Sequence, residues 1–214
     1  FKSMTPKLAE QHGIAVIYQE FNLVGELSVA ENIFLGRAIR KGILVDKKAM
    51  VNESRKIFRQ LGVDIDPNKL VSSLTVGYQQ LVEIAKAISQ NAKILIMDEP
   101  SAPLTKAEAE HMYQLVYRLK EQGVTIIYIS HRMEEIFKLS DRVTVMRDGN
   151  IVKTMNTSDT NVDELVKLMV GRELKETYPA REACVSDEMI LEVRNLSGNG
   201  LKDISFKVRK GEVL

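Results

Sequence analysis

Polar side chains that could bind a metal ion or assist hydrolysis stand directly after short apolar runs of the sequence. Asp98 and Glu99 follow the run at 93–97. A carboxylate held at the end of a buried strand is suited to Mg²⁺, and Glu99 beside it is placed to polarise an attacking water. His131 follows the run at 124–130, where its imidazole can contact charge that develops on a phosphate. Gln19 follows the run at 14–18 and can coordinate a metal or orient water.

A turn at 75–77 adds a fourth feature, because it opens a predicted helix. The Thr75 hydroxyl and the backbone N–H groups of Val76 and Gly77 would be unpaired there, which makes an anion site by geometry and by the helix dipole. Each feature also has an ordinary structural explanation: an Asp-Glu pair often caps a helix, a lone histidine is more often structural, and a glutamine at a strand end is usually a surface residue. The chemical interpretation depends on all four occurring together.

The segments between these residues alternate between strand and helix patterns. The runs at 14–18, 93–97 and 124–130 are typical of buried parallel strands. Capping boxes, apolar stripes at helical spacing and terminal glycines predict helices at 28–34, 46–61, 74–88, 105–123 and 161–170. Residues 93–130 therefore form a right-handed βαβ unit, whose strands end at the sheet edge where α/β proteins bind ligands.

Two β-hairpins are predicted further along the chain. The first covers 142–153 around the turn Asp148-Gly149, and the second covers 189–208 around Gly198-Asn199-Gly200. Between them, residues 177–187 are polar, contain Pro179 and lack periodicity, which predicts a linker.

Composition and charge exclude several classes of protein. The 214 residues are 44% hydrophobic and 28% charged, which argues against disorder, and a net charge of +1 argues against a strongly basic nucleic-acid binder. Cys184 is the single cysteine and can form no internal disulfide, which favours a reducing compartment. No apolar run approaches the ~20 residues of a spanning helix. Because the chain begins at Phe1 without a methionine and ends at Leu214 within a strand pattern, we interpret it as a piece of a longer protein.

The order of the motifs closely resembles the nucleotide-binding subunit of ABC (ATP-binding cassette) transporters. The similar segments are the Gln loop in YQE, the signature helix in LTVGYQQLVEIAKA, the Walker B strand in ILIMDEP and the switch histidine in YISHRMEE. Within that family, the chain is similar to the tandem ATPases of bacterial importers for monosaccharides of the ribose, galactose and xylose type. The segment DEPSAPLT and the segment LMVGREL carry this narrower resemblance.

The resemblance implies an α/β fold, a P-loop NTPase-like ABC cassette with a parallel sheet, a helical subdomain, and antiparallel β strands that start a second cassette. Residues 1–176 would be the C-terminal part of the first cassette, with a helical insertion at about 25–92 and the Walker B and switch region at 93–131. Residues 177–187 would be the linker, and 188–214 the start of the second cassette.

The resemblance also implies ATP and Mg²⁺ as cofactors and a role for each motif residue. Asp98 would hold Mg²⁺, Gln19 would sense Mg²⁺ and the membrane domain, Glu99 would be the general base, and His131 would contact the γ-phosphate. The turn of Thr75, Val76 and Gly77 would bind the γ-phosphate of ATP held by the partner cassette.

By the same resemblance, the intact protein would hydrolyse ATP to energise monosaccharide import from the cytoplasmic face of the membrane, as a peripheral subunit. Its partners would be membrane permease subunits, a second ABC cassette and, indirectly, a periplasmic or extracellular sugar-binding protein, with no nucleic acid. Two alternatives remain open: a soluble ABC ATPase without a membrane partner, which the near-neutral charge disfavours, and a non-catalytic ABC-like remnant.

Three departures from the family pattern qualify these expectations. The phosphate-binding motif G-x-x-x-x-G-K-[ST] does not occur in the sequence, so we predict that this chain alone binds ATP weakly and hydrolyses it negligibly. Tyr78 puts a ring where the family signature L-S-x-G-Q has an amide side chain, which weakens the expectation of efficient γ-phosphate contact there. Pro103 stiffens the loop at 102–105, which in the family crosses the cassette interface.

Overall fold

A computed structural model describes residues 4–171 and 185–214. The chain divides into two compact units, Phe1–Met169 and Val170–Leu214. Its helices and strands in chain order are α1 Pro6–Gln11, β1 Ile14–Ile17, α2 Val29–Ile33, β2 Arg40–Lys41, β3 Leu44–Val45, α3 Lys47–Leu61, α4 Val76–Ile88, β4 Ile94–Asp98, α5 Lys106–Glu121, β5 Thr125–Ile129, α6 Met133–Leu139, β6 Arg142–Arg147, β7 Asn150–Asn156, α7 Val162–Val170, β8 Met189–Gly198 and β9 Leu201–Arg209.

A three-stranded parallel sheet forms the centre of the first unit. Its order is β1–β4–β5, with Ile17 opposite Met97 and Asp98 opposite Ile129. The predicted βαβ unit at 93–130 is thereby confirmed, since β4 and β5 are parallel neighbours joined through α5.

The two faces of this sheet differ in burial. Residues such as Leu95 and Met97 are buried in one hydrophobic cluster with side chains of α2–α5. On the other face, Val16, Ile127 and Ile129 are exposed. The period-two alternation of a strand separates these residues, so β1 and β4 each contribute a buried row to the core and β5 contributes a half-buried one.

The predicted helix ends are present. Ser28 with Glu31 and Thr105 with Glu108 form capping boxes at the starts of α2 and α5. Gly62 ends α3 in the left-handed region at φ 69°, where a residue without a Cβ is favoured. None of the helices in the described part of the chain is both long and apolar enough to span a membrane.

Three elements are not predicted from the sequence. The short helices α1 and α6 lack a long apolar stripe. The third element is a β-hairpin, β2–β3, whose strands have two residues each and which interrupts the region expected to be a helical insertion. Strands of two residues are too short to show a period, and the only local signal is Gly42, which adopts φ 64° in the turn.

Both predicted hairpins are confirmed and extend further than expected. Asp148 and Gly149 adopt φ 51° and 75°, as a type I′ turn requires, and β7 continues to Asn156. The second hairpin, β8–β9, turns through Asn199 and Gly200 at φ 46° and 86°. Most of the predicted linker, with Pro179 and Cys184, lies outside the described residues.

Candidate functional site

The carboxyl ends of the three parallel strands place Gln19, Asp98 and His131 at one edge of the sheet. Asp98 ends β4, Gln19 follows β1 by two positions, and His131 follows β5 by two positions. This is the edge at which open α/β sheets bind ligands. The parallel pairing of β1, β4 and β5 therefore places these residues at one edge, as the sequence predicts.

Glu99 and His131 form a hydrogen-bonded pair at this edge. Glu99 Oε1 lies 2.8 Å from His131 Nδ1 and accepts the His131 backbone N–H at 3.1 Å. The Glu99 backbone N–H donates to the Ile129 carbonyl at 3.0 Å. Glu99 itself adopts φ 46°, a conformation that costs a non-glycine residue about 1 kcal/mol or more. Glu99 Oε2 is buried and has no hydrogen-bond partner. The pair thus leaves one carboxylate oxygen as an unused acceptor.

A shallow cleft of about 590 Å³ joins the segment after β1 to the loop after β4. It is lined by Gln19, Glu20 and Phe21 on one side and by Ala102 and Pro103 on the other. Gln19 is exposed. The structure therefore brings the Gln19 segment against the loop at 102–105.

The start of α4 is not the free anion site expected from the sequence. Thr75 is the N-cap residue, but its hydroxyl donates to Glu108 Oε1 at 3.4 Å instead of capping its own helix. A Cβ built on Gly77 would lie 2.5 Å from the same Glu108 oxygen. The backbone and side-chain hydrogen bonds from Thr105, followed by those from Thr75 and Gly77, hold the pKa of Glu108 below its usual range. The Glu108 carboxylate thus already accepts hydrogen bonds from the donors at this turn.

No hydrogen bond among the described residues links the turn of Thr75, Val76 and Gly77 to Asp98, Glu99 or His131. The structure therefore shows two groups of predicted site residues: one at the sheet edge and one at the start of α4. They are connected through α5, whose capping box contributes Glu108.

Two side chains of α4 hold the backbone of Asn22, three residues after Gln19. Glu83 Oε1 accepts the Asn22 N–H at 2.8 Å, and Lys86 Nζ donates to the Asn22 carbonyl at 2.8 Å. Burial raises the pKa of Glu83, although Lys86 and the Asn22 hydrogen bond oppose that effect. The helix that begins at Thr75 is thereby tied to the Gln19 segment, a connection that the sequence does not indicate.

Glu135 on α6 is a buried carboxylate that sequence analysis missed. Only 1% of its side chain is exposed. It accepts four hydroxyl hydrogen bonds at 2.5–3.0 Å and lies 3.0 Å from the Arg132 guanidinium; the four donors are Ser101, Tyr113, Tyr128 and Ser130. Burial alone would raise the pKa of Glu135, but these hydroxyls outweigh it and hold the pKa below its ordinary value. The sequence shows only an acidic residue after His131, which carries no signal of burial.

The donor set at the sheet edge is compatible with Mg²⁺. Within residues 4–171 and 185–214, no group of three or more His, Cys, Asp or Glu side chains is arranged to hold a metal by itself. Mg²⁺ typically takes one or two protein carboxylates together with water and substrate phosphates. The Asp98 carboxylate and the Gln19 amide oxygen are hard oxygen donors of this kind, and Glu99 Oε2 at the same edge is an acceptor that still lacks a donor.

Comparison with known proteins relates the chain to the ATP-binding domains of ABC transporters. The sequence profile described as ABC transporter matches residues 3–102. The chain is 48% identical to the galactose/methyl galactoside import ATP-binding protein MglA of Clostridium perfringens over 97% of its own length. The chain therefore contains an ABC transporter ATP-binding domain. It is also 53% identical to the ribose import ATP-binding protein RbsA of Lactococcus lactis subsp. lactis over 98% of its length.

Solved structures confirm the ABC cassette fold. The ADP conformation of MJ1267, an ATP-binding cassette of an ABC transporter, superposes with a TM-score of 0.66 at 24% identity, over 79% of this chain and 72% of that one. The predicted ABC cassette fold, with its parallel sheet, helices and antiparallel strands, is confirmed. The chain spans about two fifths of the length of its curated relatives, 41% of MglA and 42% of RbsA.

Proposed function

We propose that the intact protein hydrolyses ATP to energise the import of a monosaccharide across the cytoplasmic membrane. The observation that carries the proposal is the Glu99–His131 pair, joined at 2.8 Å at the carboxyl edge of the sheet next to Asp98. Support for the substrate class comes from the relatives, whose names describe galactose/methyl galactoside import and ribose import.

Within this proposal, Glu99 is the general base and His131 orients it. One carboxylate oxygen is held by the backbone and ring of His131, and the unpartnered Oε2 is the oxygen assigned to accept a proton from an attacking water that enters with the nucleotide. The His131 ring is 72% exposed, so its remaining nitrogen is free to approach a terminal phosphate and stabilise its developing charge.

Asp98 and Gln19 are the residues proposed to hold Mg²⁺, which would supply neutralisation of the phosphate charge when bound. Asp98 is fixed by β4, whereas Gln19 stands on the exposed segment beside the cleft. Gln19 is therefore the residue through which a contact at the cleft would reach the nucleotide.

We further propose that residues 1–176 belong to the first cassette of a tandem-cassette protein and that 188–214 begin the second. Support comes from the greater length of the relatives and from the hairpin β8–β9 after the predicted linker. Thr75, Val76 and Gly77 would then meet the terminal phosphate of ATP bound to the other cassette. Because Glu108 lies against these donors, its side chain would turn away when that phosphate arrives.

The proposed partners are membrane permease subunits and, through them, an extracytoplasmic sugar-binding protein, so that the intact protein is peripheral at the cytoplasmic face. The cleft between Gln19 and Pro103 is the proposed route of coupling, since it lies beside the Asn22 backbone that α4 holds. The net charge of +1 gives no support to nucleic acid as a partner.

ATP hydrolysis by the full-length protein, with and without its permease, tests this function. We expect Glu99→Gln to lower kcat by about 10²–10⁴-fold, the usual contribution of a general base, while nucleotide binding persists. Glu134→Gln, an exposed acidic residue on α6, is the matched control and should hydrolyse ATP as the unaltered protein does. Full activity in Glu99→Gln would contradict the assignment of the base. No hydrolysis by the full-length protein at all would favour the non-catalytic remnant.

A further inference from the structure

We infer that Glu135 is the positioning residue that keeps the general base and the switch histidine together, an inference that rests on the proposed ATP hydrolysis. The carboxylate of Glu135 is hydrogen-bonded to both loops of the site, through Ser101 after Glu99 and through Ser130 before His131. It touches neither reacting group itself. Its effect is exerted through the two serines that flank them.

The two loops are tied at adjacent positions. Ser101, two residues after Glu99, donates its hydroxyl to Glu135 Oε1 at 2.5 Å. Ser130, directly before His131, donates its hydroxyl to Glu135 Oε2 at 3.0 Å. With the Glu99–His131 contact at 2.8 Å, these bonds close a ring that contains both loops.

The remaining contacts of Glu135 anchor this ring to rigid elements. Tyr113 of α5 and Tyr128 of β5 each donate to the carboxylate at 3.0 Å. Arg132, the N-cap residue of α6, forms an ion pair with it at 3.0 Å, and its backbone N–H donates to Ser130 Oγ at 3.0 Å. A charged acceptor with all its lone pairs used and almost no exposure has little freedom to move.

This arrangement explains how a residue with unfavourable backbone geometry can hold its place. Glu99 adopts φ 46°, and such a conformation persists only when its surroundings determine it strongly. Ser101 on one side and the Ile129 carbonyl on the other restrain the Glu99 backbone. If the Glu135 carboxylate is lost, the restraint through Ser101 and Ser130 is lost from both loops together.

Glu135→Gln in the full-length protein tests the inference by kinetics. We expect kcat for ATP hydrolysis to fall by about tenfold or more, because small misplacements of reacting groups are costly, while KM for ATP changes less than about twofold. The matched control is Glu134→Gln, which removes the same charge from the adjacent exposed position of α6. Ser101→Ala should reproduce part of the loss of kcat, since it removes one side of the ring.

An independent spectroscopic measurement separates this inference from the proposed function. The ¹⁵N chemical shift of His131 Nδ1, assigned with His131→Ala, reports its hydrogen bond to Glu99 without any turnover. We expect this shift to move in Glu135→Gln and to stay unchanged in Glu134→Gln. If the unaltered protein hydrolyses no ATP, the proposed function fails, and the ¹⁵N shift alone then decides the positioning role.

Two outcomes would overturn the inference. One is an Nδ1 shift and a kcat in Glu135→Gln that match those of Glu134→Gln. The other is a loss of kcat that occurs only together with a large fall in melting temperature and an unchanged Nδ1 shift, which would show a purely structural role. A Glu135→Gln protein that keeps the melting temperature of the unaltered protein but has a changed His131 Nδ1 chemical shift would support the inference.

Discussion

Two buried carboxylates of this chain, Glu83 on α4 and Glu135 on α6, respond to burial in opposite ways. Glu83 is 7% exposed and Glu135 is 1% exposed, yet the pKa of Glu83 is raised and that of Glu135 is lowered. Glu83 accepts one backbone N–H, from Asn22, whereas Glu135 accepts four hydroxyls and pairs with Arg132. The four hydroxyl donors at Glu135, against the single N–H at Glu83, outweigh the effect of burial and lower its pKa.

The difference in donors also separates the roles of the two residues. Glu135 is a fully satisfied charge, so its neighbours depend on it to remain hydrogen-bonded. Glu83 accepts one hydrogen bond from a protein group, and its partner Asn22 is exposed to solvent. Water can therefore replace Glu83 at Asn22 but cannot easily replace Glu135 at its four hydroxyls.

Replacement of each carboxylate by leucine should give the largest contrast. Glu135→Leu leaves several buried donors and the Arg132 charge without their acceptor, and we expect a loss of about 3–5 kcal/mol of unfolding free energy. Glu83→Leu should cost only about 1 kcal/mol, because it removes a buried charge and leaves an N–H that water can reach. Urea unfolding of both variants, with Glu134→Leu as the exposed control, measures this difference. Equal losses in the two variants would mean that donor number does not separate them.

The pH dependence of stability should distinguish the same two residues by the sign of their effect. The pKa of Glu83 is raised above its ordinary value of 4.5, so the folded chain binds that proton first and the cost of the buried charge disappears as the pH falls towards 4.5. The pKa of Glu135 is lowered, so its stabilisation is complete above 4.5 and is lost only as the pH falls below that value.

Urea unfolding from about pH 7 to about pH 3 tests both signs against glutamine variants. As the pH falls towards 4.5, the unfolding free energy of the unaltered protein should increase relative to that of Glu83→Gln. The corresponding advantage over Glu135→Gln should decline only below pH 4.5. If both differences change in the same pH range, the two environments are not opposite in kind.

The contrast also shows how far sequence reasoning reaches in this chain. The capping boxes of Ser28 with Glu31 and Thr105 with Glu108 are local signals three residues apart, and both were predicted. The shared sheet edge of Asp98 and His131 followed from strand patterns. The hydrogen bonds of Glu135 to Ser101 and of Glu83 to Asn22 span 34 and 61 positions, and no local pattern reports such pairings.

Glu108 shows where a correct local prediction stops. Its capping role at α5 is visible in the sequence, but its contact with Thr75, 33 positions earlier, depends on how α5 packs near α4. In the structure the donors at the start of α4 therefore face Glu108, and phosphate binding by them stays a prediction. The sequence indicates where α4 starts, but it does not indicate that the Glu108 carboxylate accepts a hydrogen bond from Thr75 there.

The smallest predicted effect concerns Lys86, which moderates the charge of Glu83. Lys86 lowers the pKa of Glu83 by its positive charge while it donates to the Asn22 carbonyl at 2.8 Å. In Lys86→Met the pKa of Glu83 should rise further, because burial is then opposed only by the Asn22 hydrogen bond. Titration of the Glu83 side-chain carboxyl by ¹³C NMR measures this change.

Lys47→Met is the matched control for Lys86→Met, since Lys47 pairs with Glu31 and makes no contact with Glu83. The Glu83 titration should be unchanged in that control. An unchanged Glu83 titration in Lys86→Met as well would show that Lys86 acts only on the Asn22 carbonyl. In that case burial, opposed only by the Asn22 hydrogen bond, accounts for the raised pKa of Glu83. The difference from Glu135 would then depend on hydrogen-bond donors alone.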